Sequence, residues 1–192
     1  MKTLLFNPFE RYSEQQLVLF GSITAVAGVV FATLTNTHFD GVLDTHFGQN
    51  VPFKTAVFQC IINIVSIVLV FYPVGKWINS KTRLIDIFNL SLIVKIPAYF
   101  MMPLNINNWA YLKTEPLLSA MSNPFNLQFT LEMILFLVLS SILALVVFVW
   151  LIILFYNGFK VATNLKGTKH IIMFILAIII AEIVSKVLLM IL

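Results

Sequence analysis

Two groups of side chains are equipped for chemistry. The first lies in the polar segment His38-Phe39-Asp40-Gly41-Val42-Leu43-Asp44-Thr45-His46-Phe47-Gly48, where His38, Asp40, Asp44 and His46 form a near-mirror pattern, H-x-D-x3-D-x-H. Neutral imidazole and carboxylate together suit zinc or another divalent transition metal. The spacing matches no zinc-ligand motif, however, and polar loops carry such residues without a metal. In the reading favoured here, Asp40 and Asp44 cap turns while Phe39, Leu43 and Phe47 dip into a membrane–water interface.

The second group sits inside long apolar runs: Asn63, Lys95, Glu132, Glu182 and Lys186. A charge at the centre of a bilayer costs about 2.5–3.5 kcal/mol on insertion scales, so each needs a partner or a wet pocket. Lys95 follows Arg83 by 12 residues, and Glu182 follows His170 by the same number. At helical rise that puts both roughly 18 Å into a membrane, and Asn63 descends from the other side to a similar level. Lys186 lies one turn further, level with Glu132, and follows Glu182 at the favourable i,i+4 spacing. The expected arrangement is a polar ladder, Lys95–Glu182 near the midplane and Glu132–Lys186 nearer the outer surface. Such pairs fix helix register; a proton or ion path is the sharper alternative.

The elements that carry these residues are apolar. Hydrophobic residues make up 60% of the 192, charged residues only 10%, and mean hydropathy is +0.98. Soluble domains run near 25% charged, so this inventory builds no water-facing surface. Five runs are long enough to satisfy their backbone inside lipid as helices. They cover 17–34, 55–72, 84–104, 129–155 and 171–192, and make one all-α membrane domain. Ser13 to Gln16 forms a capping-box pattern before the first run. Pro73 and Gly75 close the second, and the third is weakened by Asp86, Asn89, Lys95, Pro97 and Pro103. Between 105 and 128, Thr114-Glu115-Pro116 reads as the start of a surface helix.

The basic residues give orientation. With the N-terminus inside, the inner segments hold Lys2, Arg11, Lys76, Lys81, Arg83, Lys160, Lys166 and Lys169, and the outer segments only Lys54 and Lys113. That bias predicts N-inside and C-outside. Lys160, Lys166 and Lys169 are placed to hold anionic lipid head groups, at about 1 kcal/mol each. The net charge of +4 is spread between apolar runs rather than gathered on one face, which argues against nucleic acid. The N-terminal run Leu4-Leu5-Phe6 is cut short by Asn7, Pro8 and Glu10, so no signal cleavage is expected. Cys60 is the one cysteine and forms no intrachain disulfide. The spans hold no paired Asp, Ser–His arrangement or H-E-x-x-H motif, and the chain has no Gly-rich phosphate loop; this points to a non-enzymatic protein without a cofactor.

Ile96-Pro97-Ala98-Tyr99, Met102-Pro103-Leu104 and then Trp150 with Tyr156-Asn157-Gly158-Phe159-Lys160-Val161-Ala162-Thr163, followed by a short basic turn into a terminal span, resemble the Ypt-interacting-protein (Yip) family of five-span membrane proteins. At residue level the likeness runs from about Leu84 to Leu192. Eukaryotic members imply Golgi or endoplasmic reticulum membranes and contact with Rab-type GTPases, and they carry a longer cytosolic N-terminus with an acidic D-L-Y-G-P-like segment. About 16 residues precede the first run here and none matches, so the likeness is to compact bacterial relatives. It implies the bacterial inner membrane and a scaffold or partner-binding role without GTPase contact. The partners implied are the bilayer, other membrane proteins or a second copy; the alternative is a small transporter or channel subunit using the Lys/Glu pair.

Overall fold

The computed structural model describes residues 5–120 and 130–191 and is all-helical apart from one two-residue hairpin. The helices are α1 (Glu14–Leu34), α2 (Phe53–Ile78), α3 (Leu84–Ile93), α4 (Ile96–Tyr99), α5 (Trp109–Ala120), α6 (Leu131–Thr163) and α7 (Thr168–Ile191). α1, α2, α6 and α7 are each long and apolar enough to cross a membrane. The segment containing α3 and α4 is bent by 57° against the one that follows it.

The contacts at the two ends of α1 decide whether that broken segment crosses. Arg83, just before α3, pairs with Glu14 at the start of α1, 2.5 Å away. Asn105, a few residues beyond α4, donates its amide to the Thr35 carbonyl at the other end of α1, at 2.6 Å. The chain between them therefore travels the full length of a membrane-spanning helix. With the bent segment taken as one span, the described residues make five crossings, the third of them broken.

Its break has local causes. Pro97 has no N–H to continue the helical ladder, and Lys95 and Phe100 flank the four-residue α4. Asn105, Ile106 and Asn107 then leave helical geometry, Asn107 with φ of 56°. Asparagine tolerates that left-handed conformation better than most residues. The third span, read over 84–104 as weakened by its prolines, is built from these pieces.

Other boundaries shift for similar reasons. The Ser13 cap forms as read, its hydroxyl accepting from Gln16 N–H and the Gln16 side chain returning the bond. Pro73 does not end α2, which continues to Ile78. Beyond it Thr82 is buried, and its hydroxyl donates to the Gly75 carbonyl at 3.0 Å, so the absent side chain at Gly75 lets this turn close on the helix. Thr114-Glu115-Pro116 lies within α5 rather than at its start, which comes five residues earlier. α6 runs eight residues past the expected 155, until Asn164 stops it with φ 52° and ψ 41°. Phe129 and Leu192, the outer limits of the fourth and fifth expected spans, lie outside the described residues.

The core gathers where α2, α3, α6 and α7 meet. Phe71 is fully buried, stacked on Phe155 at 5.2 Å and edge-on to Phe159 at 5.1 Å. Aromatic pairs of this kind contribute about 0.5–1.5 kcal/mol beyond area burial. In lipid, where apolar burial drives association little, such packing is what brings helices together.

Candidate functional site

Asn63, Lys95, Glu182 and Lys186 of the spans and the residues of the loop between α1 and α2 build one site, with Glu132 apart from it. After Asn36, whose φ of 50° turns the chain, Thr37–His38 (β1) pairs antiparallel with His46–Phe47 (β2). The seven residues between these strands fold back into the bundle. Val42 is 0% exposed and Phe39 1%, far deeper than the interfacial dip expected of Phe39.

A loop buried in this way brings backbone groups that must be satisfied. The helices supply the partners. Lys95 donates its ammonium to the carbonyls of Gly41 and Val42, at 2.8 and 3.0 Å. The Glu182 carboxylate accepts from Leu43 N–H at 2.8 Å, and Ser185 accepts from Val42 N–H at 3.2 Å. On α2, Gln59 accepts from Phe39 N–H at 3.0 Å, and Asn63 donates to the Phe39 carbonyl at 3.4 Å. The loop is thus gripped from α2, from α7 and from the break after α3. A Cβ at Gly41 would meet the Glu182 carboxylate, so any side chain there has to push that carboxylate off its bond to Leu43 N–H.

This arrangement corrects the expected ladder. Lys95 and Glu182 do not pair with each other; they hold the same three-residue stretch of backbone, the cation on its carbonyls and the anion on an N–H. Among the described residues no carboxylate lies within ion-pair distance of Lys95. Glu132 pairs not with Lys186 but with Lys113 of α5, at 2.5 Å. α5 brings that lysine alongside the start of α6, where Trp109 packs edge-on to Phe136 at 4.9 Å. Lys186 instead bridges Asp44, at 3.0 Å, and Glu182, at 3.3 Å, the latter across the i,i+4 spacing read from sequence. Asn63 joins the group but not through either charged partner.

The metal-type set divides as well. His38, Asp40 and His46 each place a ligand atom within 4.8 Å of the others, while Asp44 is turned away to Lys186. His46 is bonded to Asp40 through Nδ1, and its ring stacks on His38 with centroids 4.6 Å apart. Gln59 decides the state of His38. Its carbonyl oxygen accepts from Phe39, so its NH2 must face His38 Nδ1 at 3.1 Å. That nitrogen is then an acceptor, and the neutral ring carries its proton on Nε2. A metal would have to displace either that proton or the Gln59 bond that helps seat the loop. The donor set fits a hydrogen-bonded hairpin better than a metal centre.

The two rings titrate in opposite senses. The hydrogen bond to Asp40 raises His46 above the ordinary histidine value, against the effect of partial burial. Burial lowers His38, and the neighbouring His46 lowers it further.

Sequence reading missed Gln59, Ser185 and Gly41, and also the asparagines that close the outer end. Asn36 donates to Asn108 at 2.7 Å and accepts from Val51 N–H at 3.0 Å. Asn105 accepts from Tyr111 N–H at 2.9 Å while donating to Thr35. The signal available was the number of asparagines beside span ends; Asn36, Asn107 and Asn108 all take positive φ. Lys160, Lys166 and Lys169 lie exposed at the end of α6, in the following turn and at the start of α7, far from this site. Compared with known proteins, the chain matches no family model, no curated protein and no solved structure.

Proposed function

We propose that this integral membrane protein is a non-enzymatic scaffold or partner-binding protein of the bacterial inner membrane, akin to the compact members of the Yip family. One observation carries the reading: the ionisable groups buried in its spans hold a loop of the same chain. Lys95 and Glu182 fix loop backbone, and Lys186 fixes Asp44 at its edge. Groups committed to structural bonds leave a rigid outer face, which suits the display of a surface to a neighbour in the membrane. The likeness from Leu84 onward and the bias of basic residues toward the α1 start support the same assignment and an N-inside orientation.

The test is cross-linking in native membranes with the wild type and a Gly41→Val variant. A stoichiometric partner lost when the loop is displaced supports the proposal; a cross-linking pattern indifferent to the loop removes it.

Transport is the second reading, favoured by a single feature. Lys95 is a buried cation held by two loop carbonyls and the Phe39 ring, with Glu182 on the same stretch of loop, so withdrawal of the loop would bare both charges to one path. Proton flux in proteoliposomes separates the readings. The scaffold predicts flux at the background of empty vesicles for wild type and Glu182→Gln alike.

A further inference from the structure

The opposite end of the bundle carries a second built feature, independent of the loop. Two cavities meet there. One, of about 500 Å³, is lined by Ser13, Glu14, Arg83, Asp86 and Asn89. The other, of about 540 Å³, is lined almost wholly by apolar side chains, among them Phe20, Ile93, Phe100 and Trp150. Tyr12 and Leu17 line both, so the polar chamber adjoins the apolar one. Their order follows the membrane normal. Glu14 starts α1 at the interface, and Phe20 lies six residues on, about 9 Å deeper at helical rise.

The polar chamber has a defined charge pattern. Arg83 donates from Nε and Nη2 to Asp86, at 3.1 and 2.6 Å, and from Nη1 to Glu14 at 2.5 Å. A guanidinium has five N–H donors, so two remain for another acceptor. One guanidinium against two carboxylates leaves the cluster one unit negative. Asn89 adds an independent sign of a ligand. It is 2% exposed, it lines the chamber, and its side-chain oxygen accepts no hydrogen bond. A buried acceptor left unpaired costs about 1–3 kcal/mol, which a donor in the chamber would recover.

We propose that this composite cleft binds a zwitterionic aminophospholipid of the phosphatidylethanolamine class. The ammonium head is a three-fold donor facing Glu14, Asp86 and Asn89, the phosphate takes the two free Arg83 N–H groups, and an acyl chain lies along Phe20, Phe100 and Trp150. The net negative charge disfavours a lipid with a phosphate and no amine, so the site discriminates between the two headgroup classes. It is distinct from Lys160, Lys166 and Lys169, whose uncompensated charge favours anionic lipid.

The full-length protein is reconstituted in vesicles of equal phosphatidylethanolamine and phosphatidylglycerol, extracted in mild detergent, and weighed intact by native mass spectrometry. The wild type retains one phosphatidylethanolamine in preference to phosphatidylglycerol by about fivefold, as one unit of headgroup charge near the surface implies. The double variant Glu14→Gln/Asp86→Asn, which changes the cluster from one negative to one positive unit, reverses the preference. Its thermal midpoint stays near that of the wild type, since Glu14 is exposed and Asp86 partly so, and water replaces the lost pairs with Arg83. Asn89→Leu weakens retention of phosphatidylethanolamine without creating a preference for phosphatidylglycerol. Equal retention of the two lipids by the wild type, or a preference unchanged in the double variant, overturns the proposal.

Discussion

The two ends of the bundle use the same kinds of residue in opposite ways. At the end where α1 hands over to α2, charged side chains turn inward and bond backbone: Lys95 to carbonyls, Glu182 to an N–H. At the end where α1 begins, Arg83, Glu14 and Asp86 bond one another at the surface. The difference is one of solvent. A side chain that orphans buried backbone when removed is costly to lose, whereas an exposed ion pair is worth little because water replaces it.

Breaking the inward end produces the largest effects. Gly41→Val forces a branched side chain into the space held by the Glu182 carboxylate. It is expected to cost about 3 kcal/mol and to free the loop, through overpacking and lost hydrogen bonds. Thermal unfolding in detergent gives the first; the second is read by Val42→Cys in a Cys60→Ser background, labelled by a membrane-impermeant maleimide only when Gly41 is also changed. Lys95→Met is next. It leaves the carbonyls of Gly41 and Val42 without their donor, at about 1–3 kcal/mol, offset in part because no buried charge remains. A midpoint equal to that of the wild type would show that those two bonds do not seat the loop.

Acidity sharpens the comparison, because only the loop end has histidines in contact. His46 has a raised pKa, so its contribution is complete below the ordinary value of about 6.5 and fades as pH rises through the folded value. His38 has a lowered pKa, so its contribution is complete above about 6.5 and fades as pH falls through the folded value. The hairpin is therefore most stable near pH 6.5, with His46 charged and His38 neutral. Amide exchange of residues 37–47 across pH 5–8, corrected for intrinsic rates, should show a maximum of protection. His46→Gln should remove its alkaline limb and, by lifting the repulsion on His38, make the acid limb shallower without abolishing it. The smallest effect belongs to the opposite end: Arg83→Gln is expected to leave the thermal midpoint unmoved.

The helical fold was legible because hydropathy over some 20 residues is a long-range average that local detail cannot hide. The boundaries were less so. Pro73 reads as a stop, yet a helix packed on its neighbours tolerates one lost N–H bond and runs on to Ile78. The polar residues were legible as a set, since a charge in an apolar run stands out whatever it contacts. Their partners were not. Depth along a helix follows from residue count, but facing does not, and matching depths suggested side chain to side chain. The competing acceptors were backbone carbonyls of a loop, which have no letter in the sequence. Gly41 illustrates the limit: its importance lies in the space that Glu182 occupies, 141 positions away.

The seat of the loop also sets an order on biogenesis. Residues 41–44 leave the ribosome early, between the first two spans, but the groups on α7 that hold Val42, Leu43 and Asp44 follow 139 to 143 positions later. The loop must wait outside the membrane, with its backbone hydrated, while the remaining helices are inserted. Contacts so distant along the chain form slowly and leave intermediates open to error. Closure of the loop is then a checkpoint for assembly: a chain stalled before α7 would keep His38 to Phe47 accessible to the proteases that remove incomplete membrane proteins.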